Sequence, residues 1–161
     1  MKELFREYRD GDYEACEELV NQAWGFDNIF SSKALSNIAK HIYTKGSVLG
    51  SNYRLVVEVE GNVVGFIFGL NAYSKRPGRN ILFGLSLLWK LIFIKSSKPD
   101  KNDLINALRV HEKNRTDIVD RGRSEIILFV ISDEYQGKGY GKRLWQVLKS
   151  SVLNLVLKRL L

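Results

Sequence analysis

Apolar and polar positions alternate along the chain in stretches whose period changes, and each change marks an element. Leu4-Phe5-Arg6-Glu7-Tyr8 reads as a short first strand, broken by Asp10-Gly11-Asp12. Asp12 suits a helix N-cap, and Glu14 places a negative charge in the first turn, where the helix dipole favours it. Tyr13, Cys16, Val20 and Ala23 recur near one face, which predicts a helix to about Trp24. On that face Cys16 reads as a buried small hydrophobe rather than a nucleophile. Ala34, Leu35, Ile38 and Ile42 predict a second helix over 33–44, ended by Lys45-Gly46-Ser47.

A hairpin comes next. Its β-branched runs cover 54–60 and 63–70, with Gly61-Asn62 at the turn. Glu58 and Glu60 share a face by period 2 and read as a solvated or turn-side face, not a carboxylate pair. Residues 71–123 read as an insertion between the third and fourth strands. Within it, 81–94 holds eleven apolar residues interrupted by Gly84, Ser86 and Lys90. That stretch is too short to span a bilayer. It suits a helix buried against the domain, lining a substrate pocket, or lying in a membrane interface. Ser96 to Asp100 reads as loop. Asn102 or Asp103 can cap a short helix with Leu104, Ile105, Ala107 and Leu108 inward, and 114–123 reads as polar loop. The apolar run 125–131 predicts a strand buried on both faces. A glycine-rich turn follows, then an amphipathic helix carrying Leu144, Trp145, Leu148 and Val152.

Composition places this pattern in one globular domain spanning the 161 residues, with 45% hydrophobic and 27% charged positions. A single cysteine cannot form an internal bridge, and the chain opens without an apolar signal segment; both point to a cytoplasmic protein. No apolar run is long enough for a transmembrane segment. His41 and His111 are isolated, with neither metal-ligand nor triad spacing, so no metal is expected. The net charge of +7 resides in the insertion, whose twelve Lys/Arg outnumber five acids. Such a segment suits an acidic partner or substrate, or a solvated surface. Nucleic acid is not expected, because Trp89 and Phe93 lie in an apolar stretch instead of among exposed bases.

The chemistry concentrates at Gln136-Gly137-Lys138-Gly139-Tyr140-Gly141. A strand, a glycine-rich turn and a helix in that order form a phosphate cradle. The glycines let backbone approach a ligand, and the free amides and dipole of the helix start favour an anion. Lys138, Lys142 and Arg143 add positive charge. The turn is not a Walker loop, which needs G-x-x-x-x-G-K-[ST]. Nor is it a dinucleotide fingerprint, whose third glycine would fall on Lys142.

The hexapeptide fits the Q/R-x-x-G-x-G/A signature of the GNAT superfamily of N-acetyltransferases. With its strand–helix–helix–hairpin prelude, the chain resembles that family from Leu4 to about Leu155. The resemblance implies a mixed α/β fold with a central, mostly antiparallel sheet flanked by helices. It implies acetyl-CoA as co-substrate, bound at the signature residue Gln136 and the turn after it, with its pyrophosphate held by the amides of Gly137, Lys138, Gly139, Tyr140, Gly141 and Lys142. It further implies that the pantetheine arm pairs with the preceding strand at Phe129 and Ile131. In one branch of the family the general base is a glutamate eleven residues before the signature Gln/Arg, and Glu125 holds that spacing to Gln136. Many members carry proline where this chain has Asp133 and Glu134.

The implied function is acetyl transfer from acetyl-CoA to a primary amine of a small molecule or protein, by direct attack. The alternative is a non-catalytic CoA-binding or assembly module. In the family a fifth strand follows the cofactor helix, and a later helix often supplies a tyrosine acid. Here Leu157-Lys158-Arg159-Leu160-Leu161 reads as the start of that strand, which implies a domain incomplete at its C-terminal side. The exposed edge of the fourth strand is then expected to pair in a homodimer or to aggregate.

Overall fold

The computed structural model describes residues 2–71, 81–94, 102, 104–106 and 124–160, with the backbone alone for 152–160. Strands β1 (Glu3–Glu7), β2 (Tyr53–Val59), β3 (Asn62–Leu70) and β4 (Glu125–Ile131) form one sheet in the order β1-β2-β3-β4. Every neighbouring pair is antiparallel. Helices α1 (Tyr13–Trp24), α2 (Phe26–Ile29), α3 (Lys33–Gly50) and α4 (Ile81–Phe93) precede the last strand, and α5 (Tyr140–Leu160) follows it. This is the mixed α/β architecture expected from the sequence.

Two apolar layers hold the sheet. Val56, Phe66, Phe68, Leu128 and Val130 face one side, against Cys16, Val20, Leu35 and Ala39 of α1 and α3. Leu55, Val57 and Ile67 face the other, against Tyr140, Leu144 and Leu148 of α5. Two bulges set these faces. One lies where Val57 and Glu58 pair with Gly65 and Val63, leaving Val64 extra; the other lies where Phe68 and Gly69 pair with Leu128 and Ile126, leaving Ile127 extra. A bulge shifts the alternation by one residue and so re-aims every side chain beyond it. Ile126 therefore falls on the α5 side of the sheet. The hairpin turns at Glu60 (φ 52) and Gly61 (φ 87), two left-handed residues whose twist matches that of the strands.

The structure departs from the sequence reading in several places. Asp12 precedes α1 as expected, but its side chain does not cap that helix. It accepts from the Arg9 amide at 2.7 Å and from Arg6 Nη1 and Nη2 at 2.7 and 2.8 Å. Glu58 accepts from Arg6 Nε at 2.9 Å, so it belongs to a salt-bridge group and not to a solvated face. Helix α3 runs through Gly46 to Gly50, because tertiary packing outweighs a glycine penalty of about 1 kcal/mol. Gly46 sits under Phe83 of α4, and Val48 beyond it is buried.

Strand β4 is not buried on both faces. Leu128 and Val130 are, but Ile126 and Phe129 are 41% and 40% exposed, because they line clefts between β4 and α5. Helix α4 has no buried residue. Leu104 is buried but Ile105 is exposed. Residues 157–160 continue α5 and do not begin a fifth strand. Extending a formed helix through Leu, Lys and Arg needs no new nucleus, whereas a strand needs a partner. The loop at 96–100, Ala107, Leu108 and the polar stretch 114–123 lie outside the described residues, as does the side chain of Val152.

Candidate active site

Strand β4 leaves the sheet through a single 3₁₀ turn, Asp133–Tyr135, and the chain then reverses into α5. Gln136 fixes this reversal. Its side-chain amide donates to the Ile131 carbonyl at 3.1 Å and to Asp133 Oδ1 at 2.7 Å. Gly137 and Gly139 take φ values of 74° and 85°, a region that favours glycine. The first backbone bond at the start of α5 runs from the Arg143 amide to the Gly139 carbonyl at 3.1 Å. Among the described residues the amides from Gly137 to Lys142 have no hydrogen-bond partner. They stand at the start of α5, where the helix dipole is positive.

A cleft of about 510 Å³ opens at this turn. Phe129, Ile131, Gln136, Gly137, Gly139, Tyr140, Gly141 and Lys142 line it, which brings together eight of the nine residues expected to hold the cofactor. The ninth, Lys138, stands beside it with Nζ 4.8 Å from the Tyr135 ring centroid. Gly141 lets α5 approach β4, since a Cβ there would lie 3.3 Å from Phe129 Cζ. Arg143 does not contribute free charge to the turn. It pairs with Glu3 of β1, whose carboxyl that contact holds below the usual range, and it covers the Phe5 ring. Tyr140 donates to the other oxygen of Glu3 at 2.9 Å, so β1 anchors the helix start.

Among the described residues β4 pairs only with β3, which leaves its other edge open. The Ser132 amide donates to the Val64 carbonyl at 2.9 Å. Alternation then directs the backbone groups of Ile131 and Phe129 to the open side, where Gln136 meets the Ile131 carbonyl.

Glu125 lies at the other end of the same strand. It lines a second cavity of about 350 Å³ with Tyr53, Leu70, Ile126, Trp145 and Leu148. Its Oε2 is buried and has no hydrogen-bond partner among the described residues. The two cavities follow one seam between β4 and α5: Gly141 faces Phe129 and Ile131, and Trp145 and Leu148, one and two turns on, stand at Ile126 and Glu125.

Sequence reading missed Trp145, Lys149 and Tyr53 as cavity walls. The spacing of Gly141, Trp145 and Leu148 on one helix face was the available signal. It also left His41 isolated, whereas the structure sets Nδ1 2.8 Å from the Tyr13 hydroxyl, which donates to Glu17 at 2.6 Å. Burial holds His41 below its ordinary pKa and raises that of Tyr13.

Residues 3–160 match the Acetyltransferase (GNAT) family. The chain belongs to the GNAT acetyltransferase family. A similar solved structure is described as a GNAT family acetyltransferase from Brucella melitensis in complex with acetyl-CoA. It shares 12% identity over 95% of this chain and 70% of its own, with a TM-score of 0.48. No curated protein matches the sequence.

Proposed function

We propose that this GNAT chain transfers the acetyl group of acetyl-CoA to a primary amine. The observation that carries the reading is the set of unpaired amides from Gly137 to Lys142 at the mouth of the β4–α5 seam. Such amides, with the positive end of the α5 dipole behind them, suit a pyrophosphate. Lys138 and Lys142 add charge there. The outward backbone of Phe129 and Ile131 gives the pantetheine arm a strand edge to pair with. Gln136 holds the turn to the end of that edge.

These contacts would lay the thioester along β4 toward Glu125. The amine nitrogen attacks the thioester carbonyl, a C–N bond forms, the C–S bond breaks, and the CoA thiolate leaves and takes up the second proton that the nitrogen gives up on becoming an amide. Glu125 takes the proton that the ammonium must lose, directly or through water. Its buried, unpaired oxygen supports that role, because no other group in the described structure uses it. Holding both reactants in one seam supplies proximity. Cys16 has no part, being fully buried in the α1 core.

The test is release of free CoA from acetyl-CoA against a panel of primary amines: a polyamine, an aminoglycoside, a free peptide N-terminus and a lysine peptide. Turnover is expected with at least one. Glu125→Gln is expected to lower kcat by about a hundredfold while leaving acetyl-CoA affinity in place. A folded chain that binds acetyl-CoA but turns over no amine would instead be a CoA-binding module.

A further inference from the structure

Helix α4 carries two apolar stripes, and only one has a partner among the described residues. Phe83, Leu87, Leu91 and Ile94 form the inner stripe, half-buried toward α3 and the first core layer. Leu82, Leu85, Leu88, Trp89, Ile92 and Phe93 point outward and are 56–79% exposed. Trp89 and Phe93 pack on each other with ring centroids 4.7 Å apart. A continuous face of this kind marks an interaction surface.

Charge identifies what that surface meets. From Gly61 to Pro99 the sequence has no Asp or Glu, and it has six Lys/Arg. Lys90 is the one charged residue of α4. Lys75, Arg76 and Arg79 precede the helix, and Lys95 and Lys98 follow it, all within six residues of its ends. An apolar stripe framed by cations complements a surface that is apolar below and anionic above. A second copy of the same face would set like charges against each other. Spanning is excluded by length. Thirteen residues reach about 20 Å, against a hydrocarbon core of about 30 Å. Among the described residues no helix is long and apolar enough to cross a membrane.

We infer that α4 lies flat in the headgroup region of an anionic lipid bilayer, with Leu82, Leu85, Trp89 and Phe93 in the acyl boundary and Lys90 toward the phosphates, in a stretch of sequence that is cationic on both sides of the helix. Aromatic residues favour that boundary, and the basic flanks supply attraction that salt screens. Helix α4 packs against α3, on the side of the sheet opposite α5, and so leaves the β4–α5 seam uncovered. The inference is independent of the proposed acetyl transfer.

Flotation of the whole chain with vesicles tests it. The vesicles are phosphatidylcholine with about one-third phosphatidylglycerol, or phosphatidylcholine alone. The chain is expected to float with the anionic vesicles, less with the neutral ones, and less in high salt. Leu85→Glu with Trp89→Glu is expected to reduce partitioning by at least about tenfold. Both positions are exposed, so the variant is expected to fold, as a thermal melt would show. Lys90→Glu, which leaves the apolar stripe intact, is expected to weaken binding to anionic vesicles alone, and it decides the matter should the double variant not fold. A chain that ignores anionic vesicles overturns the inference. So does partitioning that neither variant changes. A dimer that the double variant converts to monomer, without vesicle binding, assigns the stripe to a second copy and overturns it equally.

Discussion

Gly69 and Glu125 meet across the β3–β4 ladder so closely that a Cβ on Gly69 would stand 2.9 Å from the Glu125 carbonyl oxygen. The approach occurs at the bulge that leaves Ile127 extra and puts Ile126 and Glu125 at the seam. A glycine at this point in β3 therefore sets where the proposed base stands. Gly69→Ala must move backbone rather than a flexible side chain. It is expected to destabilise the fold by about 1–3 kcal/mol and to lower kcat more than it weakens acetyl-CoA binding. Paired urea titrations and steady-state kinetics check both parts. Unchanged kcat with reduced stability would show that the bulge serves the sheet alone.

Gly61, Gly137 and Gly139 share a left-handed backbone, and a Cβ on any of them meets no atom within 4 Å. Alanine at each is thus expected to lose about 1–2 kcal/mol through backbone strain, without a clash. Only the two in the cofactor turn are expected to weaken acetyl-CoA binding as well. Comparing the three variants by denaturation and by binding separates strain from a ligand role.

Arg6, Asp12 and Glu58 form a salt-bridge group at the start of α1, with side chains 15%, 9% and 23% exposed. The Arg6 hydrogen bonds hold the Asp12 carboxyl below its ordinary pKa. A carboxyl lowered on folding stabilises the fold above its unfolded pKa, about 4, and that contribution fades as pH falls through the folded value. Asp12→Asn is therefore expected to be less stable than the parent at neutral pH. Its denaturation midpoint is expected to fall less than the parent's on acidification from about pH 4 downward. Parallel acid titrations followed by circular dichroism give the comparison.

Burial pushes the Cys16 thiol up to about 12. The folded protein is expected to resist an aromatic disulfide reagent at neutral pH and to react fully once unfolded. Rapid labelling of the folded chain would place Cys16 outside the core described above.

Local signals carried much of this fold. The hairpin, the β4 strand and the glycine turn each announce themselves through a few adjacent residues, because β-branched runs and left-handed glycines act at short range. The same is true of the residues expected to hold a cofactor, eight of nine of which line one cleft. Features set by distant partners were not legible. Gly46 stops a helix in isolation but not when Phe83 covers it. Residues 157–160 suit a strand or a helix by composition, and continuity with α5 decides. Arg143 reads as added positive charge at the turn until Glu3, far away in sequence, claims it. The exposed faces of Phe129 and Ile126 follow from the clefts left between β4 and α5, which no periodicity in β4 encodes.

Calorimetry of acetyl-CoA binding to the full chain, beside Gly139→Asp, is the most direct measurement of the central claim. Aspartate tolerates the left-handed backbone better than most residues, and the space at Gly139 is open, so the variant is expected to fold. Its carboxylate would stand where the pyrophosphate is expected. The expected result is binding by the parent and a loss of at least about a hundredfold in the variant, from like-charge repulsion in the seam. A folded parent that does not bind acetyl-CoA, or a variant that binds it equally well, would contradict the assignment of this turn as the pyrophosphate cradle.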